Sequence, residues 1–294
     1  MRIASLLPAA TEIVGALGLA DDLVAVTYEC DEPAGVRERC AVVVDTALPA
    51  GLDPAGVDAV VRDRAARGLA MYELDRAGLA AAAPDLILTQ DLCRVCALPA
   101  GDVTAALAAI GSAAGVVEVD PHSVEEVLAA IVTVAARAGH AAAGVALVAG
   151  LRDRLASVAR SVGGRPRPRV LVLEWTDPPY LPGHWVPELV RRAGGSAAGG
   201  TEGARSVAVT WDDIAALGAD LTVVAPCGFG LDDAVAQGRA VLDRLPAGPV
   251  VAIDSASYVV RGGPRLVDGV EALASVLHPG AVPAPPPGRV SRLR

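Results

Sequence analysis

A chain of 294 residues with 53% hydrophobic residues and a formal net charge of −9 can fill two ordinary domain cores but offers no general polyanion-binding surface. Its 25 basic residues are all Arg, which removes Schiff-base chemistry and the phosphate-loop lysine, and their scatter argues against nucleic acid as a partner. Every long apolar window is broken by Asp, Arg, Glu or Gly, so no membrane insertion is expected.

The opening MRIASLLPAATEIV reads as a strand, a turn and a helix start rather than a signal peptide. On that reading the protein is cytoplasmic and its thiols stay reduced. Short runs apolar on both faces predict parallel strands at 3–7, 23–28, 85–90 and 115–120. Helices near 10–18, 54–67, 75–82 and 101–110 lie between them. Next comes HAAAGVALVAGLRDRLASVARSV, residues 140–162, whose Ala, Leu and Arg content favours one long helix that GGRPRPR ends. The pattern then resumes with strands at 169–175, 220–226 and 249–255 and helices near 185–193, 211–217, 230–243 and 263–277. The Pro-rich end, PGAVPAPPPGRVSRLR, has few large apolar residues and is expected to be disordered.

The fold class that follows is α/β: two doubly wound lobes joined by one long rigid helix, with a ligand cleft between the lobes. The expected divisions are an N-terminal lobe over 1–122, connecting helices over 123–165, a C-terminal lobe over 166–279 and a tail over 280–294.

In open parallel sheets, ligands bind beyond the carboxyl ends of the strands. Six of the eight aromatic residues fall at or just after such ends: Tyr28, Trp175, Tyr180, Trp185, Phe229 and Tyr258. A core of Ala, Val and Leu that leaves its rings at the sheet ends points to a ligand with a flat apolar surface. Trp211 is set apart, because it follows Thr210 at a helix start, TWDD, and should pack locally. The same loops carry Glu29, Asp91, Glu174 and His184 as polar candidates. His184 reads either as a metal ligand or as the first residue of the helix opening WVPELV, and Gly183 before it permits a close backbone approach. Ser123 with Glu126 reads as a capping box, which leaves His122 without a catalytic role.

Four of the five cysteines also lie in strand-end loops. Cys93 and Cys96 form a C-x-x-C pair, and Cys30 and Cys227 would complete four ligands for zinc or a [4Fe-4S] cluster if the fold gathers them. Cys40, entering another short apolar run, reads as a buried small hydrophobe.

The stretches RIASLLPAATEIVGALGL, APDLILTQ, the long central helix and GPRLVDGVEALASVLHP together resemble the substrate-binding proteins of metal-chelate ABC importers, class III, over residues 2 to about 279. The opening S-L-x-P-x-A-T-E motif resembles the cobalamin-binding branch, and EWTDPPYLPGHWVPEL resembles a cytoplasmic-looking subgroup without a signal peptide. The resemblance implies two lobes about a rigid helix and the binding of a corrinoid such as cobalamin, a haem, a siderophore or a metal, without turnover. Association with an ABC importer would follow only for an exported protein.

Two functions are carried forward. One is binding of a corrinoid or related metal chelate between the lobes, with Tyr28, Trp175, Trp185 and Phe229 against the macrocycle. The other is a metalloprotein or enzyme built on Cys30, Cys93, Cys96 and Cys227, with Glu29, Glu174 or His184 as acid or base. The sequence displays no nucleophile–base pair.

Overall fold

The structure, a computed structural model, describes residues 1–90 and 113–294. The predicted helix at 101–110 and the candidates Asp91, Cys93 and Cys96 lie outside the described residues. The chain forms two compact units, Met1–Pro121 with Glu126–Ala149 and His122–Glu125 with Gly150–Arg294.

The first unit holds β1 (Ile3–Ser5), α1 (Pro8–Ala16), β2 (Leu23–Thr27), α2 (Val36–Arg39), β3 (Ala41–Thr46), α3 (Pro54–Ala66), β4 (Tyr72–Leu74), α4 (Arg76–Ala82), β5 (Leu86–Thr89) and β6 (Gly115–Glu118). Its sheet runs β4-β3-β2-β1-β5-β6, and only the β3–β4 pair is antiparallel. Local chemistry sets the helix starts. Pro8 and Pro54 stand in the first turns of α1 and α3, where a missing N–H costs nothing, and Asp53 and Asp75 accept hydrogen bonds from Gly56 and Gly78 as N-caps. Ala4, Leu6, Ala25, Val43, Leu79 and Ile87 form one buried cluster beside the sheet. The strands at β3 and β4 go beyond the sequence expectation. Cys40, just before β3, is only partly buried, and its thiol donates to the Leu23 carbonyl at 3.2 Å.

Next follow α5 (Val124–Arg137) and α6 (Ala141–Val162). The latter is the long helix expected at 140–162, and the boundary between the units falls inside it, at Ala149 and Gly150.

The second unit contains β7 (Arg169–Leu173), β8 (Trp175–Thr176), β9 (Pro179–Leu181), α7 (Val186–Arg192), β10 (Ser196–Ala197), β11 (Val207–Ala208), α8 (Trp211–Ala216), β12 (Leu221–Val224), α9 (Leu231–Ala240), β13 (Val250–Ile253), α10 (Ser255–Tyr258), α11 (Leu266–Leu277) and β14 (Val290–Arg292). Its main sheet runs β10-β7-β12-β13-β14, and β8, β9 and β11 form a small antiparallel sheet. Leu171, Leu173, Ile214, Val224 and Val250 pack in a common core.

The expected disorder of the tail is corrected here. Residues 290–292 pair antiparallel with β13, Val290 opposite Ile253 and Arg292 opposite Val251. Asp254, just past β13, accepts a hydrogen bond from Arg289. Composition misleads at this point because the support is tertiary: an open sheet edge supplies backbone partners that a Pro-rich segment cannot supply itself.

Candidate functional site

The strand orders locate the edges where ligands are expected. In the second unit the chain leaves β7 towards β10 and leaves β12 towards β13, so the order reverses between β7 and β12. Loops diverging there open a crevice at the carboxyl ends. The loop after β7 begins Glu174-Trp175, and the loop after β12 carries Cys227 and Phe229.

These two loops meet. The Trp175 and Phe229 rings lie 5.6 Å apart at 49°, a tilted aromatic pair. Both rings are half-buried, so each keeps exposed surface. The Trp175 indole N–H donates to the Asp177 carbonyl at 3.1 Å, which fixes the ring plane. Backbone bonds lock the loops together: Cys227 N donates to Glu174 O at 3.0 Å, and Glu174 N to Tyr180 O at 3.1 Å. The Glu174 carboxylate is buried and accepts from Ser206 Oγ at 2.7 Å, which ties down the segment before β11. Glu174 is therefore a brace for the ring-bearing loops. Tyr180, on β9, is half-buried, and its backbone register opposite Trp175 sets the hairpin.

Trp185 and Tyr258 are placed differently. Each is only 6% exposed, and the Trp185 indole N–H donates to Val259 O at 2.7 Å. Trp185 thus serves as an internal strut between the start of α7 and the end of α10. Tyr258 lies beneath the Arg289 guanidinium, 5.3 Å from its ring centre, and burial raises its phenol pKa.

His184 has a left-handed backbone, φ +50°, held by His184 N to Ala204 O at 2.6 Å and Gly203 N to His184 O at 2.8 Å. Gly183 makes this approach possible: a Cβ there would stand 2.2 Å from the Ala204 carbonyl. Trp185, not His184, is the N-cap of α7. The His184 ring lies 6.2 Å from that of His122, and burial first, then the neighbouring His122 and Arg205, lowers its pKa. A neutral imidazole is the form that can accept a proton or a metal. Trp211, at the Thr210-capped start of α8, packs against the second unit's core with the Arg244 guanidinium 4.4 Å from its ring centre, contacts remote in sequence rather than local.

Sequence reasoning missed the arginines of this unit. Arg265, before α11, donates from Nη1 to Ser257 Oγ at 3.3 Å, and Arg289 donates from Nη1 to the same oxygen at 2.9 Å. Arg289 lies in the Pro-rich segment whose composition predicts disorder. The clue available was DSAS, a polar run immediately after a buried strand.

In the first unit the order reverses between β1 and β5. Thr11, on α1, donates to Ser5 Oγ at 2.8 Å, and Cys30 Sγ lies 3.0 Å from Thr11 Oγ1 and 3.3 Å from Thr27 Oγ1. Cys30 is fully buried in this hydroxyl cluster. Tyr28 and Glu29 are half-buried, and the Tyr28 hydroxyl donates to Glu29 at 3.1 Å. Burial and the Glu29 charge push the Tyr28 pKa well above the usual phenol value. Among the described residues, no three His, Cys, Asp or Glu side chains are grouped so as to hold a metal ion.

The structure superposes on a periplasmic heme binding protein from Pseudomonas aeruginosa at TM-score 0.72 and 19% identity, covering 100% of this chain and 98% of that one. A possible iron-binding periplasmic solute-binding protein from Staphylococcus epidermidis gives 0.69 and 20%, covering 94% and 98%. The periplasmic vitamin B12 binding protein of Vibrio cholerae gives 0.65 and 20%, covering 94% and 96%. No match was found among curated proteins. Residues 3–248 match the sequence profile described as periplasmic binding protein, and the chain belongs to that family.

Proposed function

We propose that the protein binds a corrinoid, or a closely related flat metal chelate, against the carboxyl edge of the second unit's sheet. The observation that carries this reading is the Trp175–Phe229 pair, two half-exposed rings delivered by the two loops that diverge at the strand-order reversal. A planar macrocycle has apolar faces and polar edges. Rings held at 49° and 5.6 Å offer it an apolar wall, while Tyr180 and Cys227 border the same loops. That solved relatives of this fold are described as binding heme, vitamin B12 or iron supports the ligand class. Partnership with an ABC importer belongs to the same reading.

The test is co-elution. The protein is incubated with cyanocobalamin and separated by gel filtration, and the protein peak is scanned for corrin absorbance. Stoichiometric corrin bands that disappear in Trp175→Ala support the proposal. Their absence from the wild-type peak argues against a corrinoid, and the same procedure with haemin then tests the related chelate.

A further inference from the structure

His122, which the sequence pattern leaves without a catalytic role, has its ring centre 6.2 Å from that of His184, with the planes tilted by 41°. The two come from remote parts of the chain, the segment before α5 and the loop before α7, and both belong to the second unit. Their meeting is therefore a product of the fold. One ion about 2.0–2.1 Å from a nitrogen of each imidazole would hold the ring centres about 5 to 6.5 Å apart, depending on the angle at the metal. The observed spacing lies within that range. His122 is exposed and His184 half-buried, so an ion can reach the pair from solvent.

Both backbones are pinned. A left-handed conformation is unfavourable for a residue with a Cβ and persists where the surroundings impose it. Among the described residues, only Ala83 and His184 adopt it without being Gly, and His184 is held through its own N–H and carbonyl by Ala204 and Gly203. On the other side, Val124 N donates to the buried Glu188 carboxylate at 2.9 Å, and Arg192 Nε donates to its second oxygen at 2.8 Å. Glu188 lies on α7, which begins just after Trp185, so the segment carrying His122 and the loop carrying His184 are fastened to one helix. Burial keeps the His184 imidazole in the neutral form that ligates metals. The neighbouring Arg205 is exposed, so solvent screens its repulsion of a cation.

We propose that His122 and His184 together hold a divalent transition-metal ion, each through one ring nitrogen. Imidazole ligands select zinc, copper or nickel over magnesium and calcium, which require oxygen donors. Two protein ligands leave coordination positions open, and water or an incoming donor atom fills them. The ion is taken up as a free cation, so the site goes beyond the ring-wall reading and does not depend on it.

The test titrates zinc chloride, with no chelate present, into the full chain carrying 15N-labelled histidine rings, and follows the ring nitrogens by NMR. The chain has 4 histidines, so each can be resolved. The proposal expects the His122 and His184 signals to shift together along one saturation curve, while exposed His140 and buried His278 stay unmoved. In His122→Gln the His184 shift should need at least about tenfold more zinc, because one imidazole no longer presents the ion to the other. A shift of His184 alone, or a His184 titration unchanged in His122→Gln, overturns the shared site. Zinc held by the cysteines alone moves neither ring and overturns it as well. The wild-type titration decides the matter even if the variant folds poorly.

Discussion

The two units share a scheme, a mostly parallel sheet with one antiparallel edge strand, yet their carboxyl edges are furnished differently. In the first unit, small polar groups gather at the ends of β1 and β2 and on α1: Ser5, Thr11, Thr27 and Cys30 bond to one another and are buried, with Tyr28 and Glu29 half-buried after β2. In the second, the loops after β7 and β12 present the Trp175 and Phe229 rings, which remain half-exposed. Two mostly parallel sheets thus carry mutually bonded small polar groups along the described part of one carboxyl edge and half-exposed rings on the other. The fold supplies only the place; the side chains decide what it can hold.

The largest expected difference between the two units lies in packing. Gly269 in α11 faces the Tyr258 carbonyl, where a Cβ would stand 1.9 Å away, while at Gly78 in the first unit the nearest atom, at 2.4 Å, belongs to the Asp75 cap side chain. Backbone cannot swing aside, so Gly269→Ala should cost about 3 kcal/mol in urea unfolding. Gly78→Ala should stay within about 1 kcal/mol, because losing a cap is partly offset by helix propensity.

A smaller effect is expected from the chain end. Deleting residues 289–294 removes β14 and leaves Asp254 without Arg289. The loss should be about 2–3 kcal/mol, discounted because the arginine is 35% exposed. An unchanged unfolding midpoint would mean that the strand contributes nothing to the second unit.

Next comes binding. Trp175→Ala and Phe229→Ala should each weaken chelate affinity about tenfold, or about 1.4 kcal/mol, whereas Tyr28→Phe in the first unit should change it less than about twofold. Comparable losses from all three would erase the distinction between the edges.

The smallest effect is a pH dependence. The His184 pKa in the folded state is lowered, so the unfolded chain takes up a proton first as pH falls. Its contribution to stability is present above the unfolded value, about 6.5, and is lost as pH drops below it towards the folded value. His184→Gln should therefore flatten the fall in stability that sets in as pH drops below about 6.5. A profile of unchanged slope would contradict the burial argument.

Much of this architecture is legible in the residues. The long helix announces itself through an Ala- and Leu-rich run closed by Gly-Gly and prolines, and strands such as LILT and LTVV through apolar runs of the right length. What stays hidden depends on partners remote in sequence. YEL becomes β4 only because β3 offers an edge, and VSR becomes β14 only because β13 does. The site divides in the same way. Strand-end position singles out Trp175 and Phe229, but not that Trp185 turns inward to bond Val259, nor that Arg289 folds back onto Ser257. Those outcomes depend on tertiary hydrogen bonds that no local pattern encodes.

The central claim, that the second unit's ring wall receives a flat metal chelate, is tested most directly by calorimetric titration of wild type, Trp175→Ala and Phe229→Ala with cyanocobalamin and with haemin. The account predicts saturable binding of at least one of them at a single site, weakened about tenfold in both variants without loss of folding. Binding of equal strength in all three proteins, or none in the wild type, would contradict it.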